Sequence, residues 1–592
     1  MPTAGEIFGE NVRNYSAGVE AVRRKIGLVA WLRLLTFSLL AFFVYRCFTG
    51  LSQVWLLGGL LSLVIFLVLV RISLYLKDKR LLLEKLLYIN RNELQLLQHE
   101  ANLFSDGKIF QSSGSLPDDL DIFGTGSLFQ LLNRTTTCHG EEKLAGMLRD
   151  PFFKKAEIVD TQEAIKVLSE QVMKRQLITA SGLLYDEKPA GPGELSAWTQ
   201  AEGLLFRKSW LRIAKWLLPA FALAGAYYYL ATDSLSLLVP GVLLNWSLTG
   251  FFLPYINRQH SLLGRKQSLL DQYTGVLKAF GEINADSSSL LRRLQEQASQ
   301  AHRSIQQLSK LTQAFDQRLN MLVSLLLNSF LLYDVHCCIR LETWKEKNRA
   351  LLPAWIACLA NIEYLNSLAA WAFQNPGYTY PVVDETIFRI EARGIAHPLI
   401  PAGERVANDF VLGDDERLQV ITGSNMSGKT TFLRTVGVNL LLARCGAPVC
   451  ASFFTCPPLQ LLSCVRVSDS LQEHTSYFMA ELKRLQEMIH RLETGPAALV
   501  LIDEILRGTN SEDKTHGSEQ FIRKLLQYPC LALFATHDLN LGGLETALPD
   551  LVHNFCFESE IRDGQLYFDY TLRRGIAKNR NASFLMEKMG II

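Results

Sequence analysis

Gly423-Ser-Asn-Met-Ser-Gly-Lys-Thr430 brings together the residue types that hold phosphate: a glycine, four residues, a second glycine, then lysine and threonine. The backbone N–H groups of such a turn wrap the phosphates of a nucleotide, the lysine reaches the β- and γ-phosphates, and the hydroxyl serves Mg2+. The candidate nucleotide contacts are Gly423, Ser424, Asn425, Met426, Ser427, Gly428, Lys429, Thr430 and Thr431, with Thr430 also a metal ligand. A second stretch, Ala498-Leu-Val-Leu-Ile502, is wholly apolar and ends in Asp503-Glu504. An acid at the end of a buried parallel strand can hold the metal (Asp503), and the next can polarise an attacking water (Glu504). An acid pair buried without a cation would be costly, which favours a cation site over a surface pair. A third apolar run, Leu531-Ala-Leu-Phe-Ala-Thr-His537, places His537 to sense the γ-phosphate.

Three strands and a helix must position these groups. Leu418-Gln-Val-Ile421 before the glycine turn and Thr431-Phe-Leu-Arg434 after it read as strand, turn, helix start, and the helix N-terminus adds its dipole to phosphate binding. The runs ending at Asp503 and His537 are further buried strands of the same α/β unit.

These three motifs, together with Asp469-Ser-Leu-Gln-Glu-His-Thr-Ser-Tyr-Phe-Met-Ala-Glu481, closely resemble the ATPase domain of the MutS family. The resemblance implies ATP and Mg2+ as cofactors and a homodimer with two composite sites. In it, Ser476 reaches the partner's γ-phosphate and Arg507-Gly-Thr-Asn510 links the opposing sites. It also implies catalytic roles for Glu504, His537 and Ser476, and packing of Val406 against the adenine. Ser424 and Ser427 stand where the family usually has proline and glycine; neither change removes a phosphate-binding amide. The L-S-G-G-Q signature of ABC transporters is absent. Phe388–Gly394, Ala396-His-Pro398 and Val406–Phe410 resemble the entry to this domain, and Tyr570–Leu572, Gly575, Asn579 and Phe584–Gly590 its closing helical segment. Leu120–Thr137, followed by Gly140, Leu144, Leu148 and Pro151, resembles the start of the family's helical core.

At 592 residues the chain needs several domains. Lys+Arg 60 against Asp+Glu 58 gives no global sign of nucleic-acid affinity. The 11 cysteines are scattered without a C-x-x-C, which favours a reduced compartment and no structural zinc. A hydrophobic content of 48% is high for a soluble chain, and two segments hold the surplus. Ile26–Phe48 and Val54–Val70 form an apolar hairpin around Thr49-Gly50, close to the roughly 20 residues a bilayer crossing needs. Trp216–Thr232 and Ser234–Ile256 form a second, weakened by Pro219, Pro240 and Asn245. Arg23, Arg24, Lys25, Lys77, Lys79 and Arg80 flank the first; Arg207, Lys208, Arg212, Lys215, Arg258, Arg265 and Lys266 flank the second. The positive-inside rule then puts every soluble end on the cytoplasmic face, as expected of a multi-pass, bacterial-type inner-membrane protein. Leu319–Leu332, with 14 residues, is too short to span and is expected to be a buried helix.

The expected architecture is multi-domain: helical membrane hairpins and a helical core with lever, then an α/β P-loop (ABC-like) ATPase domain. The expected segments are an N-terminal 1–25, a hairpin 26–72, an amphipathic helix and linker 73–119, and the first part of the core 120–205. The second hairpin 212–256, the lever and rest of the core 257–375, and the ATPase domain 376–592 follow. Mismatch-repair members of the family carry a mismatch-reading domain with a Phe-x-Glu wedge. Here the first hairpin and linker stand in its place, and Phe8-Gly-Glu10 and Phe280-Gly-Glu282 lie in no domain-sized globular stretch. Two outputs follow for an ATP-driven lever: a clamp on DNA without mismatch reading, or motion of a membrane or protein partner without DNA. The lever is not conspicuously basic, since Lys278, Arg292, Arg293, Arg303 and Lys310 are offset by acids.

Overall fold

The computed structural model describes residues 3–50, 52–98, 100, 102–112, 116–185, 198–199, 203–205, 208–263, 266–466, 477–506, 510–562 and 565–578. The chain opens with two helices longer than any membrane requires. Helix α1 covers Ala4–Thr49 and α2 covers Gln53–Leu97, each about 70 Å long at 1.5 Å per residue. They pair antiparallel around Gly50, and Gly58 sits where a Cβ would come within 2.6 Å of the Phe43 ring. The outer half of this hairpin is inverted in polarity. Leu28, Trp31, Phe42, Leu57, Leu61 and Val64 are exposed, while Thr36 and Ser62 are buried and bond backbone carbonyls of their own helices. The inner half docks on a helical core. Phe8 meets Phe373 edge-to-face, and Asn90 bridges Asn11 and Gln176.

The core also receives α2 through a buried ion pair. Arg134 donates from Nε and Nη2 to the two oxygens of Glu93, at 2.7 and 2.8 Å, and both side chains are almost fully buried. Gln374 also donates to Glu93, and Arg175, beside it, is lowered to about 10 by burial.

A second pair, Ser209–Thr232 and Leu238–Leu263, packs through small residues. A Cβ on Gly225 would lie 2.8 Å from Leu238 Cα, and one on Gly241 2.8 Å from Ala222 Cα. Among the described residues, Ala4–Thr49, Gln53–Leu97 and Leu238–Leu263 are long and apolar enough to cross a bilayer. Ser209–Thr232 is not among them. Lys215, Pro219 and Tyr227-Tyr-Tyr229 dilute its apolar run. Leu319–Leu332 departs further: its helix, Met321–Leu331, buries only Asn328 and Ser329, and Leu322 is 79% exposed. The expectation of a buried helix fails because periodicity cannot say which medium an apolar face meets. Between these segments the Ser289–Asp316 helix runs about 42 Å along the core.

The C-terminal region is an α/β unit. β1 (Val382–Val383), β2 (Arg389–Ile395), β3 (Asn408–Gly413) and β5 (Phe453–Cys456) form one sheet in the order β1-β5-β2-β3. The other has the order β10-β9-β4-β8-β7-β6. In it β4 (Leu418–Gly423), β6 (Gln460–Cys464), β7 (Ala498–Asp503), β8 (Cys530–Thr536) and β9 (Val552–Arg562) run parallel. β10 (Gln565–Arg574) pairs antiparallel with β9. Tyr570–Leu572 therefore lies in a strand, not in the expected closing helical segment. Phe568, Tyr570 and Leu572 alternate with Asp569 and Thr571, a pattern that suits a pleated surface. Asn579 and Phe584–Gly590 lie outside the described residues.

The Glu93–Arg134 pair gives a direct test. Glu93→Ala strands a buried guanidinium, and chemical denaturation of the detergent-solubilised protein should show a loss of about 3–5 kcal/mol. A loss of about 0.5 kcal/mol or less, as at an ordinary surface site, would show the pair to be dispensable.

Candidate nucleotide site

The site forms where β4, β7 and β8 end side by side. Their register sets Thr422 opposite Thr536 and Asp503 opposite Ala535, so the glycine turn, the acid pair and His537 share one rim. The turn needs its glycines. Gly428 adopts φ +106, and a Cβ on Gly423 would fall 2.8 Å from the Phe557 carbonyl. Met426 also takes a left-handed conformation, φ +68, at the exposed apex. The helix Lys429–Arg444 then starts directly from the turn.

Lys429 is buried, and its ammonium donates to the carbonyls of Gly423 and Ser424 at 2.7 and 2.9 Å. Thr430 Oγ1 and Asp503 Oδ2 are hydrogen-bonded at 2.5 Å, which joins the two expected metal ligands. Glu504, at φ +52, is held by its N–H to the Ala535 carbonyl, and its carboxylate meets Lys514 Nζ at 2.7 Å. His537 Nε2 lies 3.8 Å from the same carboxylate. Burial, and Lys429 nearby, lower the His537 pKa against the opposing pull of Glu504, so the ring is neutral at pH 7 and can both donate and accept.

Around these groups is a cavity of about 600 Å³, large enough for a nucleotide. Val406 lines it and is 40% exposed. Thr431 also lines it, as do Asn425, Ser427 and Gly428. The residues present fit a magnesium nucleotide. The buried hydroxyl oxygens of Ser424 and Ser427 have no hydrogen-bond partner, and both line this cavity. The Thr–Asp pair offers the hard oxygen ligands that Mg2+ prefers.

The structure adds three residues to the expected set. Tyr570 stands over the turn, 3.0 Å from where a Gly428 Cβ would be, and lines the cavity with Val406. His397 lines it from the turn after β2 and receives the Leu399 N–H on Nδ1 at 3.3 Å. Lys514 holds Glu504 from the helix Ser511–Leu525. The sequence signals were slight: a tyrosine in an alternating run, a histidine before proline, one lysine among charged helix residues. Ser476 and the rest of Asp469–Ser476 lie outside the described residues, as do 507–509 of the linking loop. Their flanks are anchored: Asp119 accepts from Arg466 N at 2.8 Å and from the Arg484 guanidinium, on either side of that segment.

The site thus joins, on one α/β domain, a glycine turn, an adjacent hydroxyl–acid pair and a neutral histidine. Residues 419–587 match the family model described as MutS domain V. The chain is 34% identical over 242 residues to the DNA mismatch repair protein MutS of Caulobacter vibrioides, covering 38% of this chain and 26% of that protein. It is 32% identical over 222 residues to the protein of the same name from Thermotoga neapolitana, covering 37% and 27%. MutS protein homolog 4 of Mus musculus is 33% identical over 196 residues, 31% of this chain and 20% of that protein. These matches support the MutS family for the C-terminal region. The chain spans about a quarter of the length of the first two relatives.

His397 sets a pH dependence. Burial first, and Arg434 second, lower its pKa to about 4, against about 6.5 in the unfolded chain. Below pH 6.5 the unfolded state takes up a proton that the folded state refuses. Stability is therefore lost as pH falls from about 6.5 towards 4, by up to about 3 kcal/mol. Thermal melts across that range should show the loss, and His397→Asn should flatten it. An unchanged slope in the variant would place the titration elsewhere.

Proposed function

We propose that this chain is a membrane-anchored, MutS-like ATPase that works as a homodimer with composite sites. The observation that carries the reading is the convergence of Lys429, Thr430, Asp503, Glu504 and His537 on one cavity beside a glycine turn. The loop amides and Lys429 bind the phosphates. Thr430 and Asp503 hold Mg2+, which when bound neutralises charge on the transferring phosphoryl group. Glu504 is the general base for the attacking water. His537, neutral, donates a hydrogen bond towards the γ-phosphate, and Ser476 completes the partner's site. Val406 and Tyr570 flank the base. The apolar outer half of the α1/α2 hairpin and the Ser209–Thr232/Leu238–Leu263 pair sit in the membrane, with the ATPase domain on the cytoplasmic face. ATP closes the two ATPase domains on each other and hydrolysis releases them, moving the long core helices.

For the output, the reading supported best is action on the membrane or a membrane partner. The Ser289–Asp316 helix leads into Met321–Leu331, an uncharged segment with exposed leucines, and its Arg293 is paired with Asp160 at 3.1 Å. A second reading, a clamp on duplex DNA without mismatch reading, is favoured by the likeness to DNA mismatch repair proteins.

Glu504→Gln should keep ATP binding and lower turnover by roughly 10²–10⁴-fold, the usual contribution of a general base. Unchanged turnover in a phosphate-release assay sinks the base assignment. The ATPase rate of the detergent-solubilised protein should be indifferent to duplex DNA across a salt series. Stimulation or binding by DNA that falls steeply with salt would establish phosphate contacts and reverse the choice between the two outputs.

A further inference from the structure

Met321–Leu331 sits at the end of the Ser289–Asp316 helix. The first turns of that long helix lie against the ATPase-bearing side of the core. Arg293 pairs with Asp160, and the adjacent Thr161 packs where a Cβ on Gly446, just past the phosphate-loop helix, would come within 2.7 Å. The other end, about 42 Å away, closes in a polar collar. There Asp316 meets His260 at 2.9 Å, while Arg318 pairs with Asp334 at 3.1 Å and donates to Asn257 at 2.9 Å.

Beyond the collar, Leu319–Leu332 carries no charge. Leu319, Met321, Leu322, Leu325 and Leu326 are exposed, between 51% and 83%. Within Met321–Leu331 the residues turned inward are polar, Asn328 and Ser329. Ser329 accepts from Trp246 Nε1 at 2.9 Å, its carbonyl accepts from Asn245 at 2.7 Å, and Asn328 Oδ1 receives the Asp334 N–H. Water would invert this arrangement, exposing the serine and asparagine and burying the leucines. In hydrocarbon it is the stable one, because polar groups between helices pair with one another and apolar side chains face lipid. Asn245 and Trp246 belong to Leu238–Leu263, a helix apolar enough to cross a bilayer, so the exposed leucines continue its apolar surface.

We propose that Met321–Leu331 is embedded in lipid, in the leaflet nearest the ATPase, and that the lever helix therefore ends in the bilayer. At 11 residues it reaches about 16 Å, half the hydrocarbon thickness, so it enters one leaflet without crossing. The chain then bends by 83° at Leu332, which takes φ +47, and leaves along Tyr333–Asn348, a helix carrying charged residues and buried in the core. The occupant of the apolar face is lipid and not a protein partner. An interface of that kind has a polar rim, whereas this face grades without a charge into the membrane helix beside it. Motion of the lever then displaces an apolar wedge in one leaflet. This inference rests on the membrane reading above.

The test is a benzophenone amino acid placed singly at Leu322, Phe42 or Gln297 of the full chain. Each protein is reconstituted in phosphatidylethanolamine/phosphatidylglycerol vesicles, irradiated and analysed by mass spectrometry. All three side chains are exposed, so none of the changes disturbs the core. Lipid adducts are expected at Leu322 and Phe42 in comparable yield, and none at Gln297 on the lever. Lipid at Phe42 with water-quenched probe at Leu322 overturns the inference and leaves the membrane anchor standing. A protein adduct at Leu322, to a second copy or another chain, also overturns it. No lipid at Phe42 removes the membrane reading itself.

Discussion

Asp119 is the tie on which the arrangement of this chain depends. Its carboxylate has no solvent exposure, so every lone pair must find a donor within the protein. Ser463 Oγ, the N–H groups of Val465 and Arg466 and the Arg484 guanidinium supply them. All four come from the α/β unit, while Asp119 belongs to the start of the helical core. Two residues on, Asp121 bridges Arg434 and Arg466 at 2.8 and 2.6 Å. Arg434 lies one turn along the helix that begins at the glycine turn. A displacement of that helix therefore meets the core at Asp121, with no flexible connection between.

The core passes the constraint outwards by the same device. Leu128–Leu132 follows Asp121 closely, and Arg134 beyond it grips Glu93 of α2. Thr136 and Thr137 bond the buried Glu363, whose carboxyl is pushed up by burial and pulled down by their hydroxyls and N–H groups. A buried charge with one partner removed costs several kcal/mol, so such contacts resist opening more firmly than apolar surfaces that can slide. Apolar packing fills the space between them, and the charged ties fix which helix meets which. Beyond the collar at Arg318–Asp334, and in the outer half of α1/α2, the rule reverses: small and polar residues go inwards and leucines outwards.

Much of the candidate site's geometry was legible because its residues sit in short local motifs. The bounds of β4, β7 and β8 match the three apolar runs to within two residues, and the glycine turn, Asp503-Glu504 and His537 stand at or just past the strand ends. Short continuous apolar strands ending in polar residues admit few other arrangements. Other features had no local signature. Asp119 reads as one acid in a polar linker, and its partners lie more than 340 residues away. Lys514 and His397 reach the site only through tertiary packing. Tyr570 was read within a closing helical segment, and the sheet edge beside β9 decided otherwise. The apolar run at Leu319–Leu332 was recognised, but the medium it faces depends on Asn245 and Trp246, contributed by another helix.

Glu504 shows how strain serves the site. It and Leu506 both adopt left-handed backbone conformations, φ +52 and +60, which cost roughly 1–3 kcal/mol each in residues with side chains. The turn is held in place from three sides. The Glu504 N–H bonds the Ala535 carbonyl, Lys514 holds its carboxylate, and Leu506 fits against Gly517, where a Cβ would come within 2.5 Å of its Cδ1. A regular continuation of β7 would alternate side chains across the sheet and set Glu504 on the opposite face from Asp503. The left-handed turn instead brings both carboxylates to the cavity, with Asp503 at Thr430 and Glu504 within reach of His537. The strain is thus the condition for one strand end to present two adjacent carboxylates to the same cavity.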